Sequence, residues 1–168
     1  CVSTAAAIAW GIAVCVRGEK DIETIVGETM KAADIGYQYG YPIVSPSVST
    51  RIAFVYDLVK KANGYQDAME QIYAYFGGGD LAADSIPVAI GLFALGGGDP
   101  KKVIEYCVNL GGDCDTNGAM AGAMAGAYSG VEAVPADWRN TIRKVNHVDL
   151  ESYASKLIAL IPEWEVAK

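Results

Sequence analysis

The sequence has a single histidine, His147, among its 168 residues. A Ser-His-Asp or Cys-His catalytic arrangement would have to use it, but its neighbours are ordinary and we expect a surface position. Basic residues are also scarce: 13 Lys and Arg stand against 20 Asp and Glu, for a net charge of −7. Since an acidic chain repels phosphate backbones, we do not expect nucleic acid as a partner. The same acidity suits a protein that holds divalent cations.

Long apolar runs and closely spaced cysteines are missing as well. The longest apolar stretches fall short of the ~20 residues that a membrane-spanning helix needs. They are residues 1–16, 86–98 and 118–131. Because they are rich in Ala and Gly, we expect buried helices and no membrane partner; no basic segment that would mark a signal peptide precedes the first. The four cysteines lack CxxC spacing, which argues against a zinc site and favours reduced thiols in a cytoplasmic protein.

Helical patterns account for most of the chain. Apolar residues make up 52% of the sequence, and they recur at helical spacing with few stretches of period two. Ser47 or Ser49 and the Asp99-Pro100 pair are placed to begin helices. Asp84-Ser85 gives a similar start, with Pro87 in the first turn. The pattern predicts an all-α fold of about nine helices.

The segment that carries chemistry is Gly111-Gly112-Asp113-Cys114-Asp115-Thr116-Asn117-Gly118. Two carboxylates two residues apart in a non-helical turn can face one point, and the Thr116 hydroxyl adds a third oxygen. Such hard ligands suit Mg²⁺, Mn²⁺ or Ca²⁺. The glycines before them let the backbone bend sharply, and the following helix offers N–H groups to an anion.

Two other interpretations of this segment are weaker. The spacing of Asp113, Asp115 and Asn117 matches the first half of an EF-hand loop, but the twelfth position, which needs a bidentate Glu, holds Met124. A plain helix cap would need only one acid. The helix that follows has Gly at 118, 122 and 126, which predicts that neighbouring helices approach it closely.

The segment from Val108 to Ala123 resembles the motif of the ADP-ribosylglycohydrolase family, N-x-G-G-D-[TS]-D-T followed by a small-residue helix. Ala83 to Ala89 resembles its A-E-S-V-P-x-A segment, and Gly36 through Ile52 resembles a Gly-spaced loop followed by S-V-x-x-R-I. The likeness covers nearly the whole chain. It implies a compact orthogonal helical bundle, of which residues 1–168 would be a single all-α portion, the C-terminal half.

The resemblance also implies an activity: cleavage of an N- or O-glycosidic bond of ribose, usually in ADP-ribose attached to a protein, with two Mg²⁺ or Mn²⁺ ions. By position, Asp113, Asp115 and Thr116 would be metal ligands, and the two aspartates would be catalytic. We assign substrate binding to Asn117, to Ser3 near the first helix cap, and to the Gly111 and Gly112 backbone.

This sequence departs from the family in one important respect. The family also has an N-terminal acidic cluster of T-D-D type, which is missing here, so we expect the N-terminal half of the same precursor as a second chain. Cys1 leaves an alternative open, because an N-terminal cysteine can be an autoprocessing nucleophile of an amidohydrolase on the same fold. A non-catalytic binding homologue is the third hypothesis. The intact Asp113, Asp115 and Thr116 set argues against it.

Overall fold

The computed structural model describes residues 1–41, 44–79 and 81–161. Within these residues the chain forms nine α-helices, one 3-10 turn and no strand, which confirms the all-α prediction. The helices are α1 (Val2–Val16), α2 (Ile22–Tyr39), α3 (Val48–Lys61), α4 (Tyr65–Phe76), α5 (Ala82–Leu95), α6 (Pro100–Leu110), α7 (Cys114–Ser129), α8 (Ala136–Asn146) and α9 (Leu150–Ile158), with the 3-10 turn at Val131–Ala133.

Two compact units divide the chain, Cys1–Ala133 and Val134–Lys168. The first contains α1 to α7 and the hydrophobic core. In the second, α8 and α9 are joined by an ion pair between Arg143 and Glu151, whose N and O atoms are 2.8 Å apart. No helix in the described ranges is long and apolar enough to span a bilayer.

Several helix starts follow from the capping residues that the sequence indicates. Ser47 is the N-cap of α3 and accepts the Thr50 N–H, and Asp99 is the N-cap of α6 with Pro100 in the first turn. The prediction for α5 was wrong, because this helix begins at Ala82 and Pro87 lies inside it. Asp84 is therefore not its cap, and its carboxylate is available for another contact.

The centre of the first unit is α5. All residues from Ser85 to Phe93 are buried, as expected for a helix that is apolar on every side. α3 and α7 pack against it, and α1 packs mainly on α2. The Gly-rich helix α7 is approached closely from α6, where a Cβ at Gly122 would lie 3.2 Å from Ile104, but Gly126 has no such neighbour.

Candidate metal-binding loop

The turn between α6 and α7 places the predicted metal ligands. Gly111 and Gly112 both have positive φ, 79° and 64°, a conformation that side chains other than glycine adopt at a cost. Asp113 is the N-cap of α7, and its carbonyl accepts the Asn117 N–H at 3.0 Å. The helix begins at Cys114, so Asp115 and Thr116 lie in its first turn. The sequence-based expectation of a non-helical turn through Thr116 was wrong.

The turn rests on a second glycine turn, Gly77–Gly79, that follows α4. The Asp113 N–H donates to the Gly78 carbonyl at 2.8 Å. A Cβ on Gly112 would lie 2.6 Å from Gly78 O, and one on Gly78 would lie 2.6 Å from Gly112 Cα. The two backbones are therefore in direct contact, with no space for a side chain between them.

The carboxylates of Asp113 and Asp115 are uncommitted. Asp113 is half-buried and its side chain makes no capping hydrogen bond, while Asp115 and Thr116 are exposed. Neither carboxylate has an ion pair or side-chain hydrogen bond to any other described residue. Two free carboxylates and a hydroxyl at a helix N-terminus fit part of a hard-cation site. The described residues contain no group of three or more His, Cys, Asp or Glu side chains that could hold a metal ion, so further ligands would complete it.

Asn117 lies in the core instead of a cleft. Its side chain is 0% exposed, and neither its amide nitrogen nor its amide oxygen has a hydrogen-bond partner among the described residues. The structure therefore does not place this side chain where it would contact a bound substrate. The Asn117 amide is therefore a buried polar group next to the candidate metal-binding loop.

Cys1 and Ser3 line a separate cleft of about 670 Å³, together with Tyr37, Tyr41 and residues 81–83. Asp113, Asp115 and Thr116 are not among the residues that line it. The Ser3 hydroxyl donates to the Ala33 carbonyl at 2.7 Å and so ties α1 to α2. Cys1 and Ser3 therefore line a different cleft from the candidate metal ligands, whereas Gly111, Gly112 and Asn117 lie in or directly after the turn that carries those ligands.

All four cysteines are free thiols. Cys1 is exposed and Cys114, between the two aspartates, is partly buried. Burial raises the pKa of the Cys15 thiol to about 11 and that of the Cys107 thiol to about 12. His147 is exposed and ends α8 in the left-handed conformation, with φ of 53°, as the sequence predicts for a surface residue.

Sequence reasoning missed an ion pair beside the loop. Arg51 in α3 donates to the Asp84 carboxylate in the first turn of α5. Both residues lie in segments of family resemblance, but neither segment alone indicates that the two side chains meet. The available indication was that Arg51 is the single charged residue in one of these segments and Asp84 the single charged residue in the other.

The fold and the loop together define a class: an all-helical protein with paired carboxylates at the N-terminus of a small-residue helix. A sequence model of the ADP-ribosylglycohydrolase family matches residues 1–167. The chain belongs to this family, which confirms the resemblance found in the sequence.

Individual relatives agree with this. Protein YegU of Escherichia coli (strain K12), described as uncharacterized, is 36% identical over 156 residues, which are 93% of this chain and 46% of YegU. ADP-ribosylhydrolase ARH3 of Homo sapiens is 28% identical over 141 residues, 78% of this chain and 36% of ARH3. Its Bos taurus counterpart is 35% identical over 91 residues, 48% of this chain and 25% of that protein. The chain spans less than half the length of each of these relatives.

Proposed function

We propose that this chain is part of a metal-dependent hydrolase that cleaves an N- or O-ribosyl bond in an ADP-ribosylated substrate. Family membership supports the reaction class, and the relatives named ADP-ribosylhydrolase support the substrate class. Within this chain, the observation that most directly supports the proposal is the pair of carboxylates without partners, Asp113 and Asp115, at the start of α7.

Each group of the loop has a distinct proposed role. Asp113, Asp115 and the Thr116 hydroxyl would hold Mg²⁺ or Mn²⁺, and two such ions would supply Lewis-acid stabilisation of charge at the scissile bond. The Gly111 and Gly112 backbone would contact the substrate or shape the pocket beside the carboxylates. Asn117, buried behind the loop, would shape the site and not touch the substrate.

We further propose that the remaining ligands come from the N-terminal half of the family fold, supplied as a second polypeptide of the same precursor. Two carboxylates alone do not enclose an ion. The surface of α1 supports additional protein beyond the described residues, because Trp10 is 41% and Val16 is 69% exposed on a helix that has no charged residue. A helix that is apolar on all sides is normally covered. The free thiols are consistent with our proposal of a cytoplasmic location.

The test is turnover by the assembled protein, in which this chain is co-expressed with the N-terminal half. We expect release of ADP-ribose from an ADP-ribosylated protein with Mg²⁺ or Mn²⁺, and loss of release with a chelator. Asp115→Asn should abolish both turnover and the thermal stabilisation that the metal produces, since an amide cannot replace the charge of the carboxylate.

Asp137→Asn is the matched control. Asp137 is the second residue of α8, as Asp115 is the second residue of α7, so both substitutions remove a negative charge from a helix N-terminus. The control variant should keep full activity and metal response. Equal metal binding by the Asp115→Asn variant in calorimetry would overturn the assignment of the loop.

A further inference from the structure

Arg51 and Asp84 form the most enclosed ion pair near the loop. Their side chains are 25% and 21% exposed, and the Arg51 guanidinium carbon lies 4.8 Å from the centroid of the Phe76 ring. The pair therefore joins α3, α5 and the last residue of α4. Because Phe76 directly precedes the Gly77–Gly79 turn, the contact of Arg51 with Phe76 fixes the point at which this turn begins.

Asp84 also contacts the other end of the turn. A Cβ built on Gly79 would lie 2.6 Å from the Asp84 Cβ and 3.5 Å from its carboxyl carbon. The next residue, Ser85, is 3% exposed and donates its hydroxyl to the Gly79 carbonyl at 2.6 Å. The first turn of α5 thus holds Gly79, while Gly78 accepts the Asp113 N–H.

Stability alone is a poor reason for this ion pair. Replacing a buried ion pair with apolar residues of similar size is often neutral or stabilising, because the charges lose their hydration. The Arg51 Nε is moreover buried without a hydrogen-bond partner in the described part of the chain, and an unsatisfied buried donor is costly. A role in geometry accounts for the pair better than a role in stability.

We propose that Arg51 and Asp84 are positioning residues that fix the Gly77–Gly79 turn and, through the Gly78 carbonyl, the orientation of Asp113. The consequence for catalysis rests on the proposed metal function of the loop. The structural part concerns the metal-free chain and is testable without any metal or substrate.

The experiment measures hydrogen exchange of the Asp113 amide in the metal-free chain by NMR. The double variant Arg51→Met/Asp84→Leu removes both charges and leaves no unpaired ion. We expect the Asp113 amide to exchange about tenfold faster, as when one ordinary hydrogen bond is lost. Amides in the middle of α7, such as that of Met124, should keep their protection.

A matched control is available on the same helix. Lys61 and Asp57 of α3 form an exposed ion pair at 2.7 Å, and Lys61→Met/Asp57→Leu removes the same charges away from the turn. Its Asp113 amide should exchange at the wild-type rate. Should the Arg51/Asp84 double variant not fold, Arg51→Lys, which keeps the charge but loses the planar fork, serves in its place. Unchanged Asp113 protection in the variant that folds would overturn the proposal.

Mn²⁺ titration of the assembled protein gives a second readout. Loss of a group that orients a ligand typically weakens metal affinity about 10- to 100-fold, and we expect this range for the double variant. If the wild-type protein binds no Mn²⁺ but the exchange result holds, the proposed function is wrong and the positioning role stands. If the wild-type protein binds Mn²⁺ but the double variant leaves Asp113 exchange unchanged, the positioning role is wrong and the proposed function stands.

Discussion

Gly78 and Gly112 touch backbone to backbone, although 33 residues separate them in the chain. A Cβ on either residue would lie 2.6 Å from an atom of the other, well inside van der Waals contact. The contact places the Gly78 carbonyl within 2.8 Å of the Asp113 nitrogen. The geometry of the candidate metal-binding loop therefore depends on a turn that contains none of the candidate ligands.

Alanine at either glycine should destabilise the protein for separable reasons. Gly78→Ala introduces a steric clash alone, which costs about 1–3 kcal/mol. Gly112→Ala adds the strain of φ at 64°, a further 1–2 kcal/mol or so. The free energy of unfolding, measured with urea, should therefore be lower for Gly112→Ala than for Gly78→Ala, and lower for both variants than for the wild-type protein.

Gly126→Ala is the control for both glycines, because nothing lies within 4 Å of a Cβ at that helical position. It should stabilise the protein by about 0.4–1 kcal/mol. A Gly112→Ala variant as stable as wild type would contradict the close contact.

Asn117→Leu should increase stability, which is an unusual result for a polar-to-apolar change beside a functional loop. The amide is fully buried and unpaired among the described residues, and such a group costs about 1–3 kcal/mol. Leucine has the same number of side-chain heavy atoms, the same branching at Cγ and no polar atoms. Urea unfolding measures the change. A marked loss of stability in both Asn117→Leu and the smaller Asn117→Ala would contradict the prediction.

The thiols should differ in reactivity and in their effect on pH dependence. Since burial raises the pKa of Cys107 to about 12 and of Cys15 to about 11, iodoacetamide at pH 8 should modify Cys1 and Cys114 first, as peptide mass spectrometry would show.

In the unfolded chain the Cys107 thiol ionises near its ordinary pKa of 9.0. Stability from a buried neutral thiol is thus complete below pH 9 and lost as pH rises towards 12.

Cys107→Ala should accordingly lose less stability than wild type between pH 7 and pH 10, measured by urea unfolding at both values. Lys and Tyr residues titrate in both proteins and cancel in the comparison. An identical loss in the variant would mean that Cys107 ionises freely in the folded protein.

Modification of Cys1 separates the two enzyme hypotheses. A metal-dependent glycohydrolase does not use this thiol, whereas an N-terminal nucleophile enzyme requires it. A reagent that adds one methylthio group should leave turnover of the assembled protein intact, and a chelator should stop it. The experiment needs a Cys114→Thr background, because Cys114 between the aspartates is also accessible. Turnover that survives the chelator but not the reagent would favour the amidohydrolase.

Local sequence predicted the helices well because their starts depend on nearby groups. Ser47 and Asp99 cap α3 and α6 through N–H groups two or three residues away. Asp84 resembled such a cap, but its tertiary partner Arg51 determines its role. The same limit applies to the glycines: Gly77–Gly79 is recognisable as a helix end, whereas its contact with Gly112 depends on how α4 and α6 pack.

The identity of the central helix could not be predicted for a related reason. The Gly and Ala repeat of α7 favours close packing, yet α5 has nine consecutive buried residues. Both helices are apolar all round, and the difference arises only when α3, α4 and α7 surround α5. Burial of Asn117 is likewise a tertiary effect, since its neighbours Asp115 and Thr116 are exposed.

The ligand loop also has consequences for the order of folding. Asp113, Asp115 and Thr116 belong to the α6–α7 hairpin, whose contacts are short in sequence and close quickly. The Gly78 support comes from another hairpin, and its loop-closure entropy is larger. The carboxylates would therefore be gathered early on a loosely held turn. They would acquire their final direction only when the α4–α5 connection docks. If the loop binds a cation as proposed, this late docking step, and not formation of the α6–α7 hairpin, would set the time at which the cation can bind.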